Sequence, residues 1–95
     1  MGKVTLAGFL IADSMEDADR ASVLLPHHIG LTRAEPGCLS FEVWRSMSDP
    51  MRFGVHEVFR DRAAFEAHQA RTKESAWAAG TQALTRDYTI TEEEG

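Results

Sequence analysis

Cysteine occurs once in the 95 residues, as Cys38. A single thiol excludes an internal disulfide, and no CxxC or Cys/His cluster is present to read as a zinc site. Long apolar runs are also missing. No window approaches the roughly 20 apolar residues that a membrane-spanning helix needs. Basic charge is neither in excess nor gathered: 10 Lys and Arg stand against 15 Asp and Glu, for a net charge of −5. Arg20, Arg33, Arg45, Arg52, Arg60, Arg62, Arg71 and Arg86 are scattered among acids. That pattern excludes the basic stripe of a general nucleic-acid binder. A phosphate loop, a dinucleotide fingerprint, a Ser/His/Asp order, repeats and low-complexity segments are all absent. Met1-Gly2-Lys3-Val4 lacks the long apolar core of a signal peptide, so a cytoplasmic location is expected.

What is present is an ordered succession of periodic segments. Their length fits one domain over residues 1–95, with 92–95 as a frayed acidic tail. Residues 3–12 alternate as a strand, with Val4, Leu6 and Leu10 on one face and Ala7, Phe9 and Ile11 on the other. Ser14 is placed to cap a helix from Met15 toward Arg33, with Asp17 at the capping-box position. Pro26 removes a backbone donor inside that span, which predicts a kink or break. If helical phase survives it, Ala21, Leu24, Leu25, His28 and Leu31 share a face.

Pro36-Gly37 makes a turn into a strand over 38–46, with Leu39, Phe41 and Val43 on one side. Ser48-Asp49-Pro50 turns the chain into a second strand over 52–60, forming a hairpin. There Phe53, Val55, Glu57 and Phe59 share a face, opposite Gly54, His56 and Val58. Asp61 can cap a second helix carrying Ala64, Phe65 and His68 on one stripe. A third helical piece is expected over 73–84, aligning Trp77 with Leu84. A last strand over 86–91 turns Tyr88 and Ile90 inward.

The order β-α-β-β-α-β is the split βαβ, or ferredoxin-like, α+β sandwich. Both helices then cover one face of a four-stranded sheet. The other face also carries apolar residues, which predicts docking against a second copy in a two-fold homodimer.

Glu35-Pro36-Gly37-Cys38-Leu39-Ser40-Phe41-Glu42-Val43, then Asp49-Pro50, Glu57-Val58-Phe59 and Ala64-Phe65-Glu66-Ala67-His68 resemble the antibiotic biosynthesis monooxygenase domain, quinol monooxygenases included. The resemblance runs from the first strand to the last. It implies a dimeric α+β barrel of two ferredoxin-like subunits. It also implies oxidation of phenolic or quinol substrates by dioxygen, with no cofactor and no metal. A related branch degrades haem, and others are isomerases. The haem branch combines an asparagine on the first strand with a Trp where Phe59 stands. This chain has no asparagine and has Phe there, which argues against that branch.

Two residues are candidates for catalysis. His68 is a general base for a phenolic hydroxyl, or else a helix histidine bonded to a neighbour. Glu57, among apolar neighbours, must be paired, hydrogen-bonded or protonated; it holds His68 in one tautomer or anchors a loop. His28, Phe59, Phe65, Trp77 and Tyr88 are candidates to wall a flat aromatic substrate, or plain core. His27 is expected in solvent and His56 at the dimer interface, and the four histidines have no metal-ligand spacing. Cys38 reads as an inert thiol. The function expected is a cofactor-independent monooxygenase acting on a small aromatic polyol or quinol. A non-catalytic ligand-binding dimer and an isomerase using the same pocket stay open beside it.

Overall fold

The computed structural model describes residues 2–93. The first strand, β1 (Val4–Ile11), lies inside the sheet because its alternation gives it two apolar faces to bury. It pairs antiparallel with β3 (Arg52–Phe59) on one side and with β4 (Thr85–Glu92) on the other. Strand β2 (Cys38–Arg45) completes the hairpin with β3, giving the order β2-β3-β1-β4. Helices α1 (Met15–Arg33), α2 (Arg62–Lys73) and α3 (Ala76–Gly80) complete the ferredoxin-like α+β sandwich.

The caps fall where the sequence places them. Asp17 N–H donates to Ser14 Oγ at 3.1 Å, and Ala64 N–H donates to Asp61 Oδ1 at 2.9 Å. From the Asp61 cap, Phe65 and His68 fall on the inward stripe of α2, and both are buried. The core lies between helices and sheet. Val4, Leu6 and Leu10 of β1 meet Phe53, Val55 and Phe59 of β3 under Ala18, Ala21 and Leu25 of α1.

Several expectations need correction. Helix α1 does not break: it runs through Pro26, which is exposed. Its buried face is Ala18, Ala21, Leu25, His28 and Thr32, so Leu31 stands at the edge and Thr32 takes the inner position. In β2 the register shifts between Cys38 and Ser40. This bulge pairs Cys38 with Phe59 and leaves Leu39 out of the ladder, 52% exposed rather than beside Phe41. Helix α3 is a single short turn region, because Ser75 caps it and Thr81 Oγ1 bonds back to Trp77 O at 2.6 Å. Tyr88 packs on the core, but Ile90 on the same face of edge strand β4 is half exposed. Glu92 belongs to β4, opposite Val4, and bonds Arg62 at 2.5 Å. Glu93 N–H donates to Lys3 O at 2.9 Å. The last two positions of the expected tail, 94 and 95, lie outside the described residues.

The sheet face away from the helices carries Ala7, Phe9, Ile11, Trp44 and Val58, with Phe9 41% and Trp44 52% exposed. The Trp44 indole lies over Gly54, where a Cβ would come within 2.2 Å of it. The Arg52 guanidinium sits 4.7 Å from the centroid of the Phe9 ring. Along β4 the same face is polar, with Thr85, Asp87, Thr89 and Thr91.

Pro26 leaves the Ser22 carbonyl without its helical donor and crowds that turn. Pro26→Ala, at an exposed site, is expected to raise stability by about 1–3 kcal/mol, read as a higher urea midpoint at unchanged m-value.

Candidate active site

The turn Glu35-Pro36-Gly37 is pressed against the start of α2. Arg60 N–H donates to Gly37 O at 2.9 Å, and a Cβ on Gly37 would lie 2.2 Å from Ala64 Cβ. Only glycine allows this approach, and the approach delivers Glu35 to α2. His68 and Arg71 are three residues apart on that helix and so lie on one side of it. His68 Nδ1 sits 3.0 Å from Glu35 Oε1 and 3.2 Å from Oε2. Arg71 Nε donates to Glu35 Oε2, and Arg71 Nη2 donates to Thr32 Oγ1 of α1 at 3.0 Å. One carboxylate therefore holds an imidazole and a guanidinium together.

A carboxylate can only accept, so its partners assign the His68 proton to Nδ1. The lone pair is then on Nε2. That atom has Thr72 Oγ1 at 3.4 Å and Glu57 Oε1 at 3.7 Å. Burial lowers the His68 pKa; Glu35 opposes that shift and Arg71 adds to it. Glu57 Oε1 is buried with no hydrogen bond. Burial, and then the Glu35 charge, raise the Glu57 pKa to about 7. The two groups are too far apart for a strong hydrogen bond, and neither is charged by the other. The pair is a neutral imidazole beside a carboxyl that holds its proton up to neutrality.

Aromatic rings enclose this pair. Phe59 lies 4.8 Å from His68, Phe41 lies 5.8 Å from it, and Phe59 meets Phe65 edge-on at 5.8 Å. His28 stands 6.2 Å from His68 and stacks flat on Trp77, at 4.9 Å and 4°. Burial, with His68 and Arg71 nearby, lowers the His28 pKa to about 3, so its ring is neutral; its Nδ1 is buried without a partner. Tyr88 stands apart on β4 with its pKa raised, chiefly by burial and also by Glu57, and so remains a phenol. Cys38 is half-buried, and burial, then Glu35, raise its pKa, which keeps it a thiol.

The sequence candidates thus fall into three groups. His68, Glu57, Phe59 and Phe65 share the space under α2. His28 and Trp77 form a wall between α1 and α3. Tyr88 lies across β1 from Val55, on the far side of Gly8. Sequence reasoning missed Glu35, Arg71, Thr72 and Thr32 as members of the site. The signal available was the i, i+3 spacing of His68 and Arg71, with an acid standing just before the tight turn. Two clefts of about 310 and 300 Å³ open beside the site, and both are bordered by Arg71. Among the described residues, no group of three or more His, Cys, Asp or Glu is placed to hold a metal ion. No helix among them is long and apolar enough to cross a membrane.

A family model for antibiotic biosynthesis monooxygenase matches residues 12–80, which include every residue of the Glu35–His68–Arg71 contact and Glu57. The chain belongs to the antibiotic biosynthesis monooxygenase family. Family membership supports a monooxygenase-type function in general. Among solved structures, a Pseudomonas aeruginosa protein is 27% identical, with TM-score 0.75 over 98% of this chain and 93% of its own. SnoaB, a cofactor-independent oxygenase from Streptomyces nogalater, is 14% identical, with TM-score 0.79 over 100% of this chain and 96% of its own. A conserved protein from Bacteroides thetaiotaomicron is 14% identical, with TM-score 0.79 over 97% and 98%. These likenesses show the fold. No curated protein matches the chain.

The carboxyl at Glu57 gives a pH test of this geometry. Its raised pKa contributes stability that is fully present below about 4.5 and lost as pH rises through about 7. His28 works the other way, with stability present above 6.5 and lost as pH falls toward about 3. Glu57→Gln removes only the first effect. Its stability relative to the parent is expected to rise between pH 5 and pH 8 by a few kcal/mol at most and to level off above, in urea titrations at each pH.

Proposed function

We propose that this chain is a cofactor-independent monooxygenase acting on a small aromatic polyol or quinol, with His68 as its base. The observation that carries the reading is the His68 ring: Nδ1 on Glu35, which leaves the Nε2 lone pair buried beside Thr72 Oγ1 and Glu57 Oε1. A buried neutral imidazole with a fixed tautomer is suited to take a phenolic proton. Family membership and the fold shared with SnoaB support the oxygen chemistry.

For a hydroquinone the reaction balances as substrate plus dioxygen giving a hydroxyquinone plus one water. His68 Nε2 takes a phenolic proton. The phenolate passes one electron to dioxygen, and the radical pair recombines into a ring carbon–oxygen bond. The peroxide then loses its outer oxygen as water, using the proton stored on His68 and the hydrogen on that carbon. The O–O bond breaks and a ring carbonyl forms. Glu57, carrying a proton near neutrality, is the reserve donor on the same side of the ring. Phe59 and Phe65, which share the space under α2 with His68, are assigned to hold the flat substrate and exclude water.

The working form is read as a homodimer docked through the open sheet face, which gives the dimeric α+β barrel. The exposed Phe9 and Trp44, with Ala7, Ile11 and Val58 around them, support it. Sedimentation equilibrium at micromolar protein is expected to find twice the chain mass, and a stable single copy would remove this part of the reading.

Metal-stripped protein is expected to consume oxygen with at least one member of a hydroquinone panel, and His68→Ala to lower kcat/KM roughly 10²–10⁴-fold. No uptake above background across the panel defeats the oxygenase reading. Full activity in His68→Ala defeats the assignment of the base.

A further inference from the structure

Arg71 borders two clefts. One, about 300 Å³, contains Glu35 and His68. The other, about 310 Å³, opens between α1 and the start of α3, with apolar walls from Leu24, Leu31, Ala76 and Trp77. Its polar lining includes His28 and Arg71, while the exposed His27 and Glu74 also border it. The volume stands at the low end of ligand sites, roughly 300–1,000 Å³, which suits a molecule of one to three rings.

The walls state what such a molecule must be. Leu24, Leu31 and Ala76, with the Trp77–His28 stack, form a slot that favours a flat apolar body. Arg71 is the permanent cation on this lining. Its Nε is on Glu35 and its Nη2 on Thr32, while among the described residues Nη1 makes no hydrogen bond. Glu74 is exposed, so water screens its repulsion of an anion. His28 is an uncharged ring and adds no cation of its own; its buried Nδ1 is unpartnered.

We propose that the α1–α3 cleft binds a planar aromatic monoanion whose carboxylate is taken by Arg71 in competition with Glu35. This site stands on the cleft and its charge and does not depend on the oxygen chemistry. Its occupant reaches the base indirectly. Drawing Arg71 toward the ligand leaves Glu35 with His68 alone, and a carboxylate freed of its guanidinium makes the imidazole a stronger base.

The experiment uses 2-naphthoate and neutral 2-naphthylmethanol as probes, followed by the two tryptophan indole N–H signals in two-dimensional NMR. Trp77 lines the cleft and Trp44 lies on the opposite sheet face, so only the Trp77 signal should move. A charge-assisted bond of the Arg–carboxylate kind makes naphthoate roughly tenfold tighter or more than the alcohol. Arg71→Met is expected to erase that preference, and Glu35→Gln to tighten naphthoate by releasing Arg71. Ala76→Trp fills the slot without touching the ion pair and should abolish binding of both probes, which keeps the test open if Arg71→Met fails to fold. Equal affinity for the two probes, movement of Trp44 in place of Trp77, undiminished binding in Ala76→Trp, or weaker naphthoate binding in Glu35→Gln overturns the proposal. Binding at Trp77 without oxygen uptake would retire the oxygenase and leave the cleft, and the reverse result would do the opposite.

Discussion

The carboxylate of Glu35 is the point on which this site turns. It bridges His68 and Arg71 on α2, and Arg71 reaches on to Thr32 of α1. A single acid from the loop after α1 therefore ties two helices together and fixes the tautomer of the buried imidazole. An exposed ion pair of this type would contribute little. Here the histidine is almost fully enclosed and the acid is mostly so. Removing one partner would leave the others as buried, unsatisfied polar groups, which is the costly case.

Desolvation then sets the chemistry. The same burial that lowers the pKa of His68 and His28 raises that of Glu57, because each time it is the charged form that loses water. The result is a set of buried groups, His68, His28 and Glu57, whose charged forms burial disfavours, walled by Phe41, Phe59, Phe65 and Trp77. Such a cluster can accept or return a proton in a dry setting. That is the requirement of a reaction in which the substrate itself supplies the electrons. An unpaired Glu57 Oε1 and an unpaired His28 Nδ1 within one small interior are expensive for folding alone. Unpartnered polar atoms of this kind are concentrated at functional sites.

Much of the fold was legible because its signals are local. Ser14 and Asp61 announce two helix starts, Pro36-Gly37 and Asp49-Pro50 announce two turns, and period-two alternation sorts the faces of β1 and β3 correctly. Failures came where a local rule met a tertiary one. Pro26 weakens α1 without ending it, since the helix buries Ala18, Ala21 and Leu25 before the proline and His28 and Thr32 after it. Leu39 follows the alternation of its strand on paper, but a bulge beside the Gly37 turn moves it outward. Ile90 has the right parity, yet β4 is an edge strand with little above its end.

The candidate site divides along the same line. Sequence by itself determined the order of elements, the inward stripe of α2 with Phe65 and His68, and the placement of Glu57 among apolar neighbours, because helical and strand periodicities are properties of consecutive residues. It did not determine which acid His68 would meet. Glu57 faces His68 from the strand below, but Glu35, 33 residues before it, makes the shorter contact. That choice is made by the glycine turn pressing on α2, a contact between segments distant in the chain. Tertiary structure likewise decided that His28 pairs with Trp77, that Tyr88 lies across β1 from Val55, and that Arg71 borders two clefts. Each of these depends on how helices settle on a twisted sheet, and no spacing along a single strand of sequence encodes a distance across it.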